Sequence, residues 1–258
     1  MEQSVVFLDI DGTILDHEKK IPDSTKEGIK ALQDNGIIVA IATGRAPFMF
    51  RDILKELNIN SFISFNGQYV VYEGEVIHNQ ALTASQLENL TKYGAEYNHS
   101  LVYQAEHAMK ASHPSNFHIT SGMQSLQMNY PEVDANFFKK HSIYQVLLFN
   151  EEKEQEVYEE KFADLRFIRW HQFSCDVMPE NGSKAYGVRK FIEKTEIPWE
   201  NTYAFGDGLN DLEMIQLVNT GVVMGNGLEI LKEAGDVVTD SVSNNGVYNG
   251  LLKLGLIK

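Results

Sequence analysis

Short runs of consecutive apolar residues alternate with amphipathic stretches in the first third of the chain. The run Val5–Leu8 ends at Asp9, and the run Ile37–Ala42 ends at Thr43, with a helical apolar stripe between them that stops at Gly36. Short apolar runs that contain many β-branched residues are typical of strands buried on both faces of a parallel sheet. The pattern therefore predicts a β–α–β unit at the start of the chain.

The same rhythm continues through a second helix, a third strand and a hairpin. Pro47 can open a helix that runs to about Leu57, because proline suits the first helical position. The run Phe62–Phe65 predicts the third strand. The runs Tyr69–Tyr72 and Val76–Ile77 flank a Glu-Gly pair, which predicts a hairpin.

The regular alternation is lost after about Leu82. Helical and strand-like patterns then follow without a fixed order, and we expect the polar stretch His107–Asn136 to be irregular because it shows no clear periodicity. Such a mixture is typical of an α+β domain. The elements predicted in this block are helices at Ser85–Tyr97 and Glu151–Phe162, and strands at Leu101–Tyr103, Ile143–Phe149, Leu165–Trp170 and Phe173–Val177.

Strands and helices alternate again from Ser183 onwards, which implies β–α–β units and a parallel sheet. We therefore predict an α/β protein. Its doubly wound parallel-sheet core comprises residues 1–82 and 183–258, and an α+β cap domain is inserted at residues 83–182. The elements predicted in the last segment are helices at Lys184–Thr195, Leu209–Leu217, Leu228–Ala234 and Val247–Leu254, and strands at Thr202–Phe205, Gly221–Met224 and Val237–Val238.

The charge of the chain argues against a nucleic-acid partner. The 258 residues carry a formal net charge of −14, and the densest basic clusters are pairs such as Lys19–Lys20 and Lys139–Lys140. A nucleic-acid-binding protein usually shows a basic stripe instead. An acidic protein also repels an anionic substrate at long range. A phosphorylated substrate would therefore need a bound metal or a local cation at its site.

The sequence also gives expectations for the protein's location. Cys175 is the single cysteine, so no intrachain disulfide can form, which fits a reducing compartment. The first apolar run is too short for a signal peptide, and no apolar stretch approaches the ~20 residues of a membrane span. We expect a soluble, cytoplasmic protein, monomeric or weakly homo-oligomeric, without a membrane partner.

Four carboxylates lie at or just beyond the ends of predicted core strands. Asp9 and Asp207 follow two strands, and Asp11 and Asp211 lie close to them in sequence. The carboxyl ends of parallel strands share one edge of a sheet, where ligands bind. Buried carboxylates are costly unless a cation compensates them. Because carboxylates, water and phosphate suit Mg²⁺, we expect a Mg²⁺ site at this edge.

The segment Asp9–Thr13 is the most informative about chemistry. One carboxylate can attack while a second lies two residues further on, and Gly12 permits a sharp turn. Phosphoryl transfer mainly needs positioning and cations, because negative charge spreads over three oxygens. Mg²⁺ and Lys184 can supply positive charge, and Thr43 can bind a phosphate oxygen with Gly44 leaving room. The pattern therefore favours phosphoryl transfer.

These segments resemble, in order, the four motifs of the haloacid dehalogenase superfamily in its Cof-type sugar-phosphatase branch. The matching segments are Asp9–Thr13, Ala42–Arg45, Lys184 and Gly206–Asp211, and the resemblance covers the whole chain. It implies a Rossmann-like core with a large cap between the second and third motifs. It also implies a Mg²⁺-dependent phosphatase that hydrolyses small phosphate monoesters, such as sugar phosphates, through an aspartyl-phosphate.

The resemblance implies a role for each matched residue. Asp9 is the expected nucleophile, and Asp11 is expected to protonate the leaving oxygen and then to deprotonate the attacking water. Mg²⁺ would be held by Asp9, the backbone carbonyl of Asp11 and Asp207, with Asp211 acting through water or from behind the ligands. The phosphoryl group would be held by Thr43, Lys184 and Asn210, with Gly44 and Arg45 also in the binding region.

Several alternatives stay open. Lys184 could be a solvated helix residue, Arg45 a salt-bridge partner at a helix start, and Asn66-Gly67 a turn without ligand contacts. Cys175 suits a small buried residue better than a catalytic thiol. A phosphomutase of the same superfamily uses the same aspartate pair, and a catalytically idle metabolite-binding protein is the alternative from a different class.

Overall fold

The computed structural model describes residues 3–258, which form two compact units. The first unit comprises residues 3–45, 50–79 and 183–258, and the second comprises residues 46–49 and 80–182. Each unit has its own sheet. The strands are β1 (Val5–Leu8), β2 (Ile38–Ala42), β3 (Phe62–Ser64), β4 (Tyr69–Tyr72), β5 (Glu75–Asn79), β6 (Ser100–Gln104), β7 (Met109–Ala111), β8 (Gln145–Phe149), β9 (Leu165–His171), β10 (Ser174–Pro179), β11 (Thr202–Gly206), β12 (Thr220–Val223) and β13 (Val237–Val238).

The α-helices within residues 3–258 are mostly short. None of them combines the length and the apolar character that crossing a lipid bilayer would require. They are α1 (Asp23–Asp34), α2 (Arg51–Glu56), α3 (Ala84–Glu96), α4 (Phe117–Ser125), α5 (Gln155–Lys161), α6 (Lys184–Thr195), α7 (Leu212–Leu217), α8 (Glu229–Ala234) and α9 (Gly246–Lys253).

The sheet of the first unit has the strand order β13-β12-β11-β1-β2-β3-β4-β5. The strands from β13 to β3 are parallel, and β4 and β5 add an antiparallel hairpin. The central strand β1 pairs with β2 on one side and with β11 on the other. The strand order therefore reverses at β1, which is where ligands bind in open α/β sheets.

Successive residues of β1 face opposite sides of this sheet. Val6 and Leu8 belong to the apolar core that includes α1 and α9. Val5 and Phe7 belong to the core on the other face, where Phe191 of α6 packs edge-to-face on Phe7. Burial on both faces explains why the run is continuously apolar. The arrangement confirms the predicted doubly wound α/β core.

The second unit is built on an antiparallel sheet with the strand order β7-β6-β8-β10-β9. One face packs against α3 and α5, and Cys175 is fully buried there. Burial raises the pKa of the Cys175 thiol to about 12, so this residue is an apolar core residue and not a nucleophile. The other face packs against α4 through Ile119 and Met123. The predicted α+β character of this block is confirmed.

The prediction that His107–Asn136 is irregular was wrong in part. The stretch contains β7 and α4. Helix α4 begins after Asn116, whose side-chain oxygen accepts a hydrogen bond of 3.0 Å from the backbone N–H of Ile119. A strand of three residues and a helix with little amphipathic character give almost no periodic signal.

Three predicted helices are divided differently in the structure. The helix expected from Pro47 to Leu57 is interrupted at Phe50, whose φ of −133° and ψ of 19° are not helical, so a single 3₁₀ turn precedes α2. The helices expected from Leu209 and from Glu151 also begin with a 3₁₀ turn. Helix ends often tighten in this way.

Candidate active site

The ends of β1 and β11 bring two predicted site residues to one edge of the first sheet. The two strands are parallel neighbours, with Leu8 opposite Phe205. Asp9 follows β1 directly, and its backbone N–H donates to the carbonyl oxygen of Phe205 over 3.1 Å. Asp207 follows β11. The carboxylates of both residues therefore lie at the carboxyl edge of the sheet.

Lys184 is the first residue of α6, and its ammonium joins two of the carboxylates. Its Nζ donates to Asp9 Oδ1 over 2.5 Å and to Asp211 Oδ1 over 2.6 Å, and the side chain has no exposed surface. The alternative of a solvated helix residue is therefore excluded. Burial alone would lower the pKa of Lys184, but the charges of Asp211 and Asp9 raise it above its ordinary value, so the lysine is a cation.

Asp211 holds the loop after β11 in place. One carboxylate oxygen accepts from Lys184, and the other accepts from the backbone N–H groups of Asp207 and Gly208, both over 3.0 Å. A side chain at Gly206 would collide with Asp211, because an added Cβ would lie 2.5 Å from the Asp211 Cβ. Both Asp211 oxygens are thus used by protein groups, which suits the predicted role behind the metal ligands.

Three carboxylates form a cluster that could hold a metal ion. Asp9, Asp207 and Asp211 each offer one oxygen, and these oxygens lie within 4.8 Å of one another. Burial, together with the charges of the neighbouring aspartates, raises the pKa of Asp9 well above its ordinary value. Burial and then the charge of Asp211 raise the pKa of Asp207 to about 7. A divalent cation would relieve this repulsion, and carboxylate oxygens are the ligands that Mg²⁺ takes.

The side chain of Asp207 is bonded by Asn226 and lies against Gly12, which belong to two other segments of the chain. The Nδ2 of Asn226 donates to Asp207 Oδ2 over 3.2 Å and to the carbonyl oxygen of Gly12 over 2.9 Å. Gly12 has a φ of +83°, and an added Cβ would lie 2.1 Å from Asp207 Oδ2. The predicted turn after β1 therefore requires glycine for two reasons. Its backbone has a positive φ, and the Asp207 carboxylate lies where a side chain would be.

The side chain of Asp11 lies outside the carboxylate cluster. Its Oδ1 accepts from Lys19 Nζ and from Arg45 Nη2, both over 2.6 Å, and its Oδ2 accepts from Arg45 Nε over 2.8 Å. Burial would raise the pKa of Asp11, but Arg45 and Lys19 outweigh it and hold the pKa below its ordinary value. Metal binding by the Asp11 backbone carbonyl stays a prediction.

The loop after β2 carries the other predicted phosphate-binding residues. Thr43 is buried, and its Oγ1 accepts from the backbone N–H of Arg45 over 3.1 Å. An added Cβ at Gly44 would lie 2.9 Å from Asn66 Nδ2, so a side chain at this position would displace the buried Asn66 amide. The Asn66-Gly67 pair lies in a 3₁₀ turn, as the alternative of a turn suggested. The half-buried Asn210 lies in the 3₁₀ turn beside Asp211.

Two contacts of the site were missed by the sequence analysis. Lys19 was noted only as half of a basic pair, and nothing in its local pattern indicates that it reaches Asp11. Asn226 follows β12 between two glycines, at the same edge of the sheet as Asp9 and Asp207. Its position after a core strand was a signal that could have been used, because polar residues at such ends often contact ligands.

Comparison with known proteins identifies the family. The sequence model of the haloacid dehalogenase-like hydrolases matches residues 6–251. The chain belongs to this family. The resemblance of its motifs to the Cof-type branch is thereby confirmed.

Curated and solved relatives agree with this assignment. Putative phosphatase YkrA of Bacillus subtilis (strain 168) is 45% identical over 258 residues, which cover 100% of both chains. A hypothetical protein from Geobacillus kaustophilus HTA426 superposes with a TM-score of 0.94 at 47% identity, covering 99% of this chain and 100% of the other. The subclass IIB sugar phosphatase BT4131 gives a TM-score of 0.88 at 28% identity, covering 98% and 100%. The chain is a hydrolase of the haloacid dehalogenase superfamily, and relatives of this kind are phosphatases by name.

Proposed function

We propose that this protein is a Mg²⁺-dependent phosphatase that hydrolyses small phosphate monoesters, such as sugar phosphates, through an aspartyl-phosphate on Asp9. The observation that carries the proposal is the position of the Asp9 carboxylate at the end of β1, within hydrogen-bonding distance of buried Lys184 and next to Asp207 and Asp211. Burial and cationic neighbours keep such a carboxylate in one orientation, which a nucleophile requires.

The donor set fits Mg²⁺. The oxygens of Asp9 and Asp207 would hold the ion, together with the backbone carbonyl of Asp11, and Asp211 would keep the loop of Asp207 in place. When bound, the ion would neutralise charge on the transferring phosphoryl oxygens. Thr43, Lys184 and Asn210 would bind the remaining oxygens, and Gly44 would leave room for them.

The reaction would proceed in two displacements. Asp9 attacks the phosphorus, an acyl-phosphate bond forms, and the ester P–O bond breaks while Asp11 donates its proton to the leaving oxygen. Asp11 then takes a proton from water, which attacks the acyl phosphate, releases inorganic phosphate and restores Asp9. A phosphate dianion beside Asp11 would oppose the effect of Arg45 and Lys19 on its pKa, and this favours the protonated form that the first step needs.

The two-part organisation is part of the proposal. Residues 1–82 and 183–258 would carry the chemistry, and residues 83–182 would form the cap that selects the leaving group. A cytoplasmic location and a monomeric or weakly homo-oligomeric state stay predictions.

Phosphate release from a panel of phosphorylated metabolites tests the proposal. Sugar phosphates, nucleotides, flavin mononucleotide and pyridoxal phosphate would be assayed with Mg²⁺ and with EDTA. We expect release that requires Mg²⁺ and that falls by at least ~10³-fold in Asp9→Asn, because the amide cannot form the acyl phosphate. Asp52→Asn, which changes an exposed aspartate of α2, is the matched control and should retain activity.

The outcome also separates the alternatives. Turnover that requires a bisphosphate activator would indicate a phosphomutase instead. No turnover of any compound by a folded protein would contradict the proposal and favour a binding role. Release that is equal in the wild type and Asp9→Asn would contradict the nucleophile assignment alone.

A further inference from the structure

We propose that Lys19 is a positioning residue that fixes the Asp11 carboxylate for proton transfer. The inference rests on the proposed role of Asp11, and it adds a residue for which the motifs of the sequence give no role. Three observations support it: the fold of the turn that carries Lys19, the direction of its side chain, and the way in which its contact completes the one made by Arg45.

The turn from Asp16 to Lys20 is closed without help from the Lys19 side chain. The backbone N–H of Asp16 donates to the carbonyl oxygen of Lys20 over 2.9 Å, and that of Lys19 donates to the carbonyl oxygen of Asp16 over 3.0 Å. The Oδ1 of Asp16 accepts from the backbone N–H groups of Glu18 and Lys20, over 2.8 and 2.9 Å. The turn is therefore held by its own backbone and by Asp16.

The turn places Lys19 in an unusual backbone conformation. Its φ is +62°, in the left-handed region that side-chain-bearing residues seldom adopt. Lysine has no intrinsic preference for this region, so the turn alone does not explain the residue. The side chain leaves the turn and reaches Asp11, eight positions back in the chain. The next residue, Lys20, instead pairs with exposed Glu18, and its side chain is 73% exposed against 30% for Lys19.

The contact from Lys19 completes the set of bonds around Asp11. Arg45 approaches from the loop after β2 and binds both carboxylate oxygens. Lys19 approaches from a different segment and binds Oδ1 as well. Arg45 alone would fix the carboxylate only relative to its own long side chain. A second cation from an independent turn fixes the pair relative to the core, which is how supporting contacts hold a catalytic group.

A structural role would give a different result from a positioning role. An ion pair whose two side chains are 30% and 39% exposed contributes little to stability. We therefore expect Lys19→Met to leave the unfolding temperature nearly unchanged while it impairs the step in which Asp11 donates a proton. Loss of the Lys19 charge would by itself raise the pKa of Asp11 and favour its protonated form, so a slower step would report lost positioning of the carboxyl group.

Two aryl phosphates of nearly the same shape isolate that step. Phenyl phosphate releases a basic phenolate that benefits from protonation, whereas p-nitrophenyl phosphate releases a weakly basic phenolate that does not. We expect Lys19→Met to lower kcat/KM for phenyl phosphate, which reports the steps up to formation of the aspartyl-phosphate, by about 10-fold, a part of the ~10²–10⁴-fold that general acid catalysis supplies. For p-nitrophenyl phosphate kcat/KM should change by less than about twofold. The kcat values do not isolate the step, because Asp11 is also the base in hydrolysis of the aspartyl-phosphate, which both esters share.

Three further variants serve as controls. Lys20→Met removes a lysine from the same turn and should behave as the wild type. Lys19→Gly suits a positive φ and should reproduce the kinetics of Lys19→Met, so a folding defect of the methionine variant cannot produce the result. Lys19→Arg keeps the cation and should recover most of the activity on phenyl phosphate.

The possible failures are distinguishable. Equal kcat/KM values for wild type and Lys19→Met on both esters, with Asp9→Asn inactive, would overturn the role of Lys19 and leave the phosphatase proposal intact. An equal fall in kcat/KM for both esters would show that Lys19 acts on substrate binding or on the attack by Asp9 and not on leaving-group protonation, which would also overturn it. A wild-type protein inactive on every ester would overturn both proposals together.

Discussion

The ammonium of Lys184 lies between two carboxylates and has no exposed surface. Its removal would leave Asp9 and Asp211 facing each other in a buried site without a compensating charge. Breaking a buried ion pair by removing one partner costs more than the intact pair contributes, because the remaining charge stays desolvated. At the residue scale, Lys184 therefore matters for stability, in addition to the role in phosphate binding that we propose for it.

We expect Lys184→Met to lower the free energy of unfolding by about 3–5 kcal/mol in metal-free buffer, as measured by urea denaturation. Methionine fills a similar volume, so the loss would reflect charge and not a cavity. Lys194→Met, at an exposed position of the same helix, is the matched control and should cost less than ~0.5 kcal/mol. Equal midpoints for the two variants would contradict this account of the site.

At the scale of elements, the start of α6 is placed by the turn Phe65–Gly67. Gly67 has a φ of +97°, and an added Cβ there would lie 2.1 Å from the carbonyl oxygen of Ser183. Ser183 caps α6 by accepting from the backbone N–H of Tyr186 over 3.1 Å, and Lys184 follows it directly. A side chain at Gly67 would therefore displace the first turn of α6 and its lysine.

Gly67→Ala and Gly74→Ala form a matched pair that tests this contact. Both glycines have a positive φ, but no atom lies within 4 Å of an added Cβ at Gly74. Gly74→Ala should cost only the ~1–2 kcal/mol of left-handed strain. Gly67→Ala should cost at least ~2 kcal/mol more and should reduce kcat, because Lys184 moves. Similar unfolding midpoints and similar kcat values for the two variants would show that the turn does not position α6.

The elements that sequence reasoning predicted well are those set by local pattern. The bounds of β1 and α6 agree with their predictions, since a continuous apolar run and a Ser-capped helix each give a strong signal. The contact of Lys19 with Asp11 depends on the left-handed backbone conformation of Lys19 in a turn closed by Asp16. The pattern of apolar and polar residues carries no signal for such a turn. Helix α4 was missed because its own sequence favours no helical face. Long-range placement and weak local preference therefore account for what was not predicted.

At the scale of the whole molecule, the carboxylate cluster should link unfolding stability to pH and to metal. The pKa values of Asp9 and Asp207 lie above those of ordinary aspartates, the latter at about 7. The native state therefore binds more protons than the unfolded state in the range up to about pH 7. It follows that the stability contributed by these groups is present at the acidic end of that range and is lost as the pH rises through 7. His78 and His171 act in the opposite sense, because burial lowers their pKa values.

The stabilisation that Mg²⁺ adds distinguishes the pH dependence of the carboxylate cluster from that of these histidines. The histidines contribute equally with and without the ion, so their effect cancels in the difference. At about 100 times its dissociation constant, Mg²⁺ should stabilise the protein by about 2.7 kcal/mol at pH 8. At pH 6 the ion must displace a proton from Asp207, which weakens binding about tenfold and removes about 1.4 kcal/mol of that increment. Thermal unfolding with Mg²⁺ and with EDTA at both pH values measures the difference.

Asp207→Asn should abolish the stabilisation by Mg²⁺ at both pH values, and Asp52→Asn should preserve it. An increment that survives in Asp207→Asn would mean that the ion binds elsewhere. An increment that is independent of pH in the wild type would mean that Asp207 is already ionised at pH 6, since only a protonated carboxyl group must release a proton before it can bind Mg²⁺.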